Sequence, residues 1–259
     1  EIDVCPVQIQ GPLSEDLMAK LAGDELRDVP YYGIMETQIG GADVVISQTG
    51  FTGEKGYEIY VRDAHQNAEK VWNAVLEGGE EFGLMVIAPA HHRRIAAGIL
   101  SWGQDLDHET SPFQVNLAYQ VPRNKEADYI GKEALEKQRA MIDEGTPPFK
   151  MKMVGITLGG KEITDYAPDF WLVADTDGND MGYVTSPWWS PELGTNIALA
   201  WVPWASSDIG TKLLVKLPDE FSESSGVPVD AEIVDVPFRE SVNPNKREVQ
   251  SAKGLDFAD

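Results

Sequence analysis

Two carboxylates and two tyrosines lie close together in a glycine-rich stretch of this chain, residues 47–61. Three glycines within seven residues allow the backbone to turn tightly and bring Glu54 and Glu58 near one turn. On the strand that follows, alternation places Glu58 and Tyr60 on one face and Tyr57 on the other. The stretch is either a ligand site built on that carboxylate face or a hairpin with an exposed polar face.

Other polar clusters have the residue types of metal sites without the spacing. His91 and His92 are adjacent, so on a helix they point in different directions. The acidic run 105–109, which includes Asp105, has no second ligand group at metal spacing and is interpreted as a solvated loop. The run 175–180 has its glycine at the fourth position, where a calcium loop has it at the sixth, and is interpreted as a turn. We therefore expect no metal site.

The composition limits the function classes. The chain has 259 residues, 42% of them hydrophobic, and a formal net charge of -22, which allows a folded core in one large or two ordinary domains. The charge repels nucleic-acid phosphates and anionic membranes, and no apolar run reaches the ~18 residues of a membrane helix. Because the single cysteine, Cys5, cannot form an internal disulfide, we expect a reducing, cytoplasmic location.

Turn and helix signals predict mixed helices and strands before residue 148. Gly40 and Gly41 favour a two-residue hairpin. Ser14 and Asp63 are placed to cap helices, and Pro89 is suited to a first helical turn. The predicted strands are 4–9, 37–39, 43–47 and 57–61, and the predicted helices are 14–23, 64–76, 89–98 and 132–142.

After Pro147 and Pro148 the chain changes to short apolar or β-branched runs separated by Gly, Pro, Asp and Asn. Such runs predict a small antiparallel barrel or sandwich. We therefore predict an α+β body over 1–148, a β-barrel domain over 149–242 and a polar tail over 243–259. The predicted strands are 151–158, 171–174, 183–186, 196–202, 211–217 and 231–236.

Three stretches carry a resemblance to a known family. The first is the glycine-rich stretch 47–61. The second, RIAAGILSWGQDL from Arg94, continues through 110–113 and 128–135. The third is GYVTS from Gly182, with Ser-Pro at 190–191 and NIALA at 196–200. In this order they resemble the glycine cleavage T-protein family of tetrahydrofolate-dependent aminomethyltransferases, whose relatives include the dimethylsulfoniopropionate demethylases.

The resemblance implies a three-part fold around a central folate pocket, with this chain holding the second half of the α+β body and the C-terminal barrel. It implies tetrahydrofolate as the cofactor, with Glu58 accepting two parallel N–H bonds from the pterin. Tyr60 matches a tyrosine of the demethylase branch and is the predicted catalytic residue, facing the methyl donor or the folate. The other predicted folate-binding residues are Glu54, Tyr57, Trp102 and Arg94. For Arg94 there are two alternatives: it contacts the glutamate tail of the folate, or it braces the helix on which it lies.

Two departures from the T-protein pattern favour the demethylase branch. Ala90-His91-His92 stands where T-proteins have Ala-Arg-Asp, so an arginine expected to help bind folate is absent. Ala96 stands where the family has Glu. Three tryptophans either line a box for a methylated onium cation or pack beneath turns. These are Trp102, Trp188 and Trp189.

The predicted function is transfer of a one-carbon group from a methylated onium or amine donor, such as dimethylsulfoniopropionate, to N5 of tetrahydrofolate. A glycine cleavage aminomethyltransferase, a noncatalytic folate-binding module and a fragment of a larger demethylating enzyme remain alternatives. The expected partner is a small-molecule methyl donor, without nucleic acid or membrane, and a homodimer is left open. The start at Glu1, just before an apolar run, leads us to expect an upstream segment.

Overall fold

The computed structural model describes residues 3–123, 125–166 and 169–239. Within these ranges the chain forms two compact units, 3–90 and 91–239. The sequence-based boundary at 148 lies inside the second unit and stays a prediction, and the polar tail 243–259 lies outside the described residues. None of the helices in the described ranges has the length and apolar composition needed to span a membrane.

The first unit is a four-stranded antiparallel sheet with two helices on one face. Its elements are β1 (Val4–Gln10), α1 (Ser14–Ala22), β2 (Ile34–Ile39), β3 (Ala42–Ser47), β4 (Gly56–Arg62) and α2 (Ala64–Gly79), with 3-10 helices at Asp24–Asp28 and Glu80–Phe82. The strand order is β1-β4-β3-β2. Because side chains alternate across a strand, one face packs Ile46 and Ile59 against Leu17 of α1 and Val71 of α2.

The predicted strands and helices of this unit are confirmed, and Gly40 and Gly41 form the hairpin turn at φ +59° and +74°. The two caps differ from the prediction. Leu13 occupies the N-cap of α1, because the buried Ser14 hydroxyl instead donates to the Lys55 carbonyl at 3.0 Å. Asp63 does occupy the N-cap of α2, but its side chain makes no capping bond.

The second unit contains a closed six-stranded antiparallel barrel. Its elements are α3 (His91–Ala96), α4 (Lys132–Asp143), β5 (Met151–Leu158), β6 (Trp171–Ala174), β7 (Asp180–Ser190), β8 (Thr195–Pro203), β9 (Lys212–Val215) and β10 (Val229–Val234), with 3-10 helices at Pro112–Gln114, Ala118–Gln120 and Trp204–Ser206. The order β10-β5-β8-β7-β6-β9 closes because β9 pairs with both β6 and β10. The barrel alternative of the sequence analysis is therefore confirmed over the sandwich.

Helix α3 is short and packs on the outside of the barrel. It begins at His91, two residues after Pro89, so the predicted place of that proline in the first turn is wrong. Ile95 of α3 is buried with Leu199 and Trp201 of β8. This packing fixes the side chains of α3 against β7 and β8. The α+β fold with a C-terminal antiparallel barrel is confirmed.

Candidate functional site

Glu58 lies in the middle of β4 on the sheet face opposite the helices. Gln8 is its direct cross-strand partner on β1, and its Nε2 donates to Glu58 Oε1 at 2.7 Å. The Tyr60 hydroxyl donates to Glu58 Oε2 at 3.0 Å. Each oxygen of an ionised carboxylate has two lone pairs, so each retains one for a further donor. The partly exposed carboxylate is thus held from both sides and can accept two parallel N–H bonds.

Tyr60 shares this face with Glu58, as the alternation of the strand predicts. Burial raises the pKa of the Tyr60 hydroxyl, and the hydrogen bond to Glu58 and the charge of that carboxylate raise it further. The hydroxyl therefore stays protonated at neutral pH. Tyr60 can act there as a hydrogen-bond donor.

Tyr57 lies on the opposite face and is fully buried under the helices. Its hydroxyl accepts a bond from Gln48 at 3.3 Å and donates to Glu15 at 3.4 Å, and burial raises its pKa. Tyr57 and Glu58 lie on opposite sides of one strand, so the structure does not bring them together, and the predicted ligand contact of Tyr57 stays a prediction. Tyr57 instead ties β4 to α1.

The glycine-rich turn closes around the side chain of Gln10. The Gln10 amide donates to the Thr49 carbonyl at 3.3 Å and accepts from the Thr52 hydroxyl at 2.8 Å. A Cβ atom at Gly50 or at Gly56 would collide with this amide. The spacing of these two glycines therefore makes room for Gln10, which the sequence analysis does not single out.

Glu54 lies within the same turn and is partly exposed. Its backbone N–H donates to the Thr52 hydroxyl at 3.2 Å. The turn is further held by an ion pair between Lys55 and Glu15, which lowers the pKa of that carboxyl. A ligand-binding role for the Glu54 carboxylate stays a prediction.

Arg94, in the second unit, is a fully buried part of a polar network. Its side chain is 1% exposed and pairs with Asp105 at 2.7 Å. The guanidinium also donates to Ser186 Oγ at 2.7 Å, to the Ile99 carbonyl at 3.2 Å and to Gln104 at 3.3 Å. The structure thus supports the bracing role of Arg94. A direct contact with a folate tail would require one of these bonds to break.

Asp105 accepts four hydrogen bonds, although the sequence analysis places it in a solvated loop. The donors are Arg94, the Ser101 N–H at 2.7 Å, Thr185 Oγ1 at 2.6 Å and Ser186 Oγ at 2.5 Å. Its side chain is 0% exposed, so the solvated-loop interpretation is wrong for this residue. The network joins the loop after α3 to β7.

The three tryptophans considered above, Trp102, Trp188 and Trp189, make no ring contact with one another in the described ranges, and whether they line a common box stays a prediction. Trp102 is 68% exposed. Trp188 instead lies 5.4 Å from the His91 ring and 5.7 Å from the Tyr166 ring, measured between centroids. The prediction that Trp102 binds folate is not tested by these contacts and stays a prediction.

His91 is held by two side chains. Its Nδ1 faces the Arg94 Nε donor at 3.5 Å, and its Nε2 contacts the Tyr166 hydroxyl. Burial lowers the pKa of His91, and the positive charge of Arg94 lowers it further. The imidazole is therefore neutral at pH 7.

The acidic side chain of Asp175, in the run 175–180, accepts hydrogen bonds from residues of the same run. Asp175 Oδ1 accepts from the backbone N–H groups of Asp177 at 3.0 Å and Asn179 at 2.9 Å, so 175–180 is a turn, as predicted. Among residues 3–123, 125–166 and 169–239, no group of three or more His, Cys, Asp or Glu side chains is arranged to hold a metal ion.

Comparison with known proteins gives two family matches in chain order. The GCVT N-terminal domain matches residues 1–125, and the glycine cleavage T-protein C-terminal barrel domain matches residues 151–239. An aminomethyltransferase of Geobacillus sp. (strain WCH70) is 33% identical over 201 residues, which are 76% of this chain and 52% of that protein. A dimethylsulfoniopropionate demethylase of Ruegeria pomeroyi is 32% identical over 219 residues, 85% of this chain and 57% of that protein.

A crystal structure of glycine cleavage system aminomethyltransferase T from Bartonella henselae has the same fold, with a TM-score of 0.67 at 24% identity over 93% of this chain and 61% of that chain. The chain spans just over half the length of the two curated relatives. The second family match covers the observed barrel, and the first covers the four-stranded sheet with its helices. With both domains matched in order, the chain belongs to the glycine cleavage T-protein family.

Proposed function

We propose that this chain takes part in tetrahydrofolate-dependent one-carbon transfer, with Glu58 binding the pterin ring. The observation that carries the proposal is the Glu58 carboxylate, which Gln8 and Tyr60 hold from both sides while each oxygen keeps a lone pair. The aminomethyltransferases and the demethylase among the relatives support the same class of transferase.

The residues present fit a pterin. Its ring N–H and its exocyclic amino group form a flat edge with two parallel donors, and a carboxylate is the acceptor that matches such an edge. Tyr60 lies two residues further along the same face and stays protonated, so it can contact the ligand as a donor. When bound, tetrahydrofolate would supply N5 as the nucleophile that accepts the one-carbon group.

The protein's part is positioning, with little acid or base chemistry. A methyl group that leaves a sulfonium centre releases a neutral thioether, so its departure needs no proton from a side chain, and the proton that N5 would lose on methylation can pass to solvent when the product leaves. Holding donor and acceptor in line and excluding water contributes about 7–11 kcal/mol in intramolecular analogies. Tyr60 is suited to this role as a contact to the donor or the folate.

For the donor, we propose a methylated onium or amine compound. The T-protein pattern that this chain resembles would place an arginine where the chain has His91, and a neutral imidazole cannot replace the charge of a guanidinium toward an anionic ligand. The net charge of -22 also favours a cationic or zwitterionic donor over an anionic one. The second candidate is an aminomethyltransferase, which the names of most of the relatives favour.

The experiment is a transfer assay with tetrahydrofolate and a panel of donors, with the folate product identified by mass spectrometry. Dimethylsulfoniopropionate and a quaternary ammonium compound test methyl transfer, and an aminomethylated lipoyl protein tests the second candidate. We expect 5-methyltetrahydrofolate from an onium donor, and loss of the product in Glu58→Gln. Formation of 5,10-methylenetetrahydrofolate alone would favour the second candidate, and folate binding without any product would favour a noncatalytic module.

A further inference from the structure

Gln8 on β1 is an exposed residue that directly holds the candidate ligand group. Its side chain crosses to β4, where Nε2 donates to Glu58 Oε1 at 2.7 Å. The amide oxygen cannot face the carboxylate, because two acceptors would then oppose each other. The orientation of the Gln8 amide is therefore fixed by Glu58.

The fixed amide extends the acceptor edge of the site. Within the described part of the chain, Gln8 Oε1 receives no hydrogen bond. It is thus a third acceptor beside the two carboxylate oxygens of Glu58. An exocyclic amino group has two hydrogens, so one can bond the carboxylate while the other bonds an adjacent amide oxygen.

We propose that Gln8 is a positioning and specificity residue of this site, which selects planar heterocycles with an exocyclic amino group next to a ring N–H. The inference rests on the proposed function and deepens it. Gln8 orients the Glu58 carboxylate through one amide atom and contacts the amino group of the ligand through the other.

The test measures dissociation constants by titration calorimetry for tetrahydrofolate and for its 2-desamino analogue, which lacks the exocyclic amino group. Gln8→Met removes the amide while keeping the length of the side chain. The matched control is Gln38→Met, because Gln38 is also exposed on an edge strand and donates to a neighbouring carboxylate, Asp43, at 2.7 Å. Thermal unfolding of each variant verifies that the fold is kept.

We expect Gln8→Met to weaken tetrahydrofolate binding roughly tenfold, the effect of losing one hydrogen bond to the ligand, and to weaken the analogue much less. Gln38→Met should change neither. In a Glu58→Gln background, Gln8→Met should weaken binding less than it does in the wild type, because the part of its effect that acts through the orientation of Glu58 is lost there.

Three results would overturn the proposal. If Gln8→Met binds tetrahydrofolate as the wild type does, Gln8 has no role, while the proposed function stands. If the variant weakens both ligands equally, Gln8 does not select the amino group, and if it weakens binding as much without the Glu58 carboxylate, it does not act through Glu58. If the wild type binds no tetrahydrofolate, the proposed function fails together with this inference.

Discussion

Replacing Asp105 by Asn should lower the free energy of unfolding of the second unit by about 3–5 kcal/mol, the cost of leaving one partner of a buried ion pair unpaired. The side chains of Asp105 and Arg94 are 0% and 1% exposed, so water cannot replace the lost charge. The carboxylate accepts bonds from Arg94, Ser101, Thr185 and Ser186. An amide keeps the shape but turns one acceptor into a donor that faces another donor.

Tryptophan fluorescence during urea unfolding mainly follows the unfolding of the second unit, because only Trp72 of the seven tryptophans lies in the first unit. Asp107→Asn is the matched control, since Asp107 is exposed two residues away and should change stability by less than about 0.5 kcal/mol. An Arg94→Met variant combined with Asp105→Asn should cost less than the sum of the two single changes. A loss below about 1 kcal/mol for Asp105→Asn, or full additivity, would refute the reasoning.

Three further predictions concern stability. Gly50→Ala should destabilise the first unit by about 0.5–1.5 kcal/mol, because its Cβ would displace the end of the flexible Gln10 side chain from its hydrogen-bond partners. An unchanged thermal midpoint would contradict this. Below the ordinary His pKa of 6.5, the second unit should lose stability as the pH falls, because burial lowers the pKa of His91 and the folded state then binds fewer protons than the unfolded chain. When the free energy of unfolding is measured in urea at several pH values, it should depend less on pH in His91→Gln than in the wild type. Burial also lowers the pKa of His92, so His92 should account for part of the pH dependence that remains in this variant. Raising sodium chloride should raise the thermal midpoint, since salt screens the repulsion within a chain of net charge -22, and a flat response would count against this.

Local patterns in the sequence were sufficient to predict most of the helices and strands and part of the candidate site. The alternation of β4 places Glu58 and Tyr60 together and Tyr57 on the other face, because side chains of a strand alternate regardless of tertiary context. The same alternation separates Tyr57 from Glu58, and the expected ligand contact of Tyr57 came from the resemblance alone. Glycine and proline signals likewise located the hairpin and the barrel strands.

Contacts between distant residues were not readable in the same way. Gln8 reaches Glu58 across 50 positions, and this pairing depends on the register of β1 against β4, which no local pattern encodes. Asp105 accepts a hydrogen bond from Thr185, which lies 80 positions away in the chain. The sequence predicts a solvated loop there, because the residue types alone do not indicate that a charged side chain is buried. Ser14 fits a cap by type but is drawn to the Lys55 carbonyl by tertiary packing.

The most direct test of the central claim is the dissociation constant of tetrahydrofolate for the wild type and for Glu58→Gln. Glu36→Gln is the control, because Glu36 is an exposed carboxylate of the same sheet that pairs with Arg62. We expect Glu58→Gln to weaken binding about 100-fold, as the loss of a charge-assisted pair of hydrogen bonds implies, and Glu36→Gln to leave it unchanged. Equal affinity of Glu58→Gln and wild type would contradict the account.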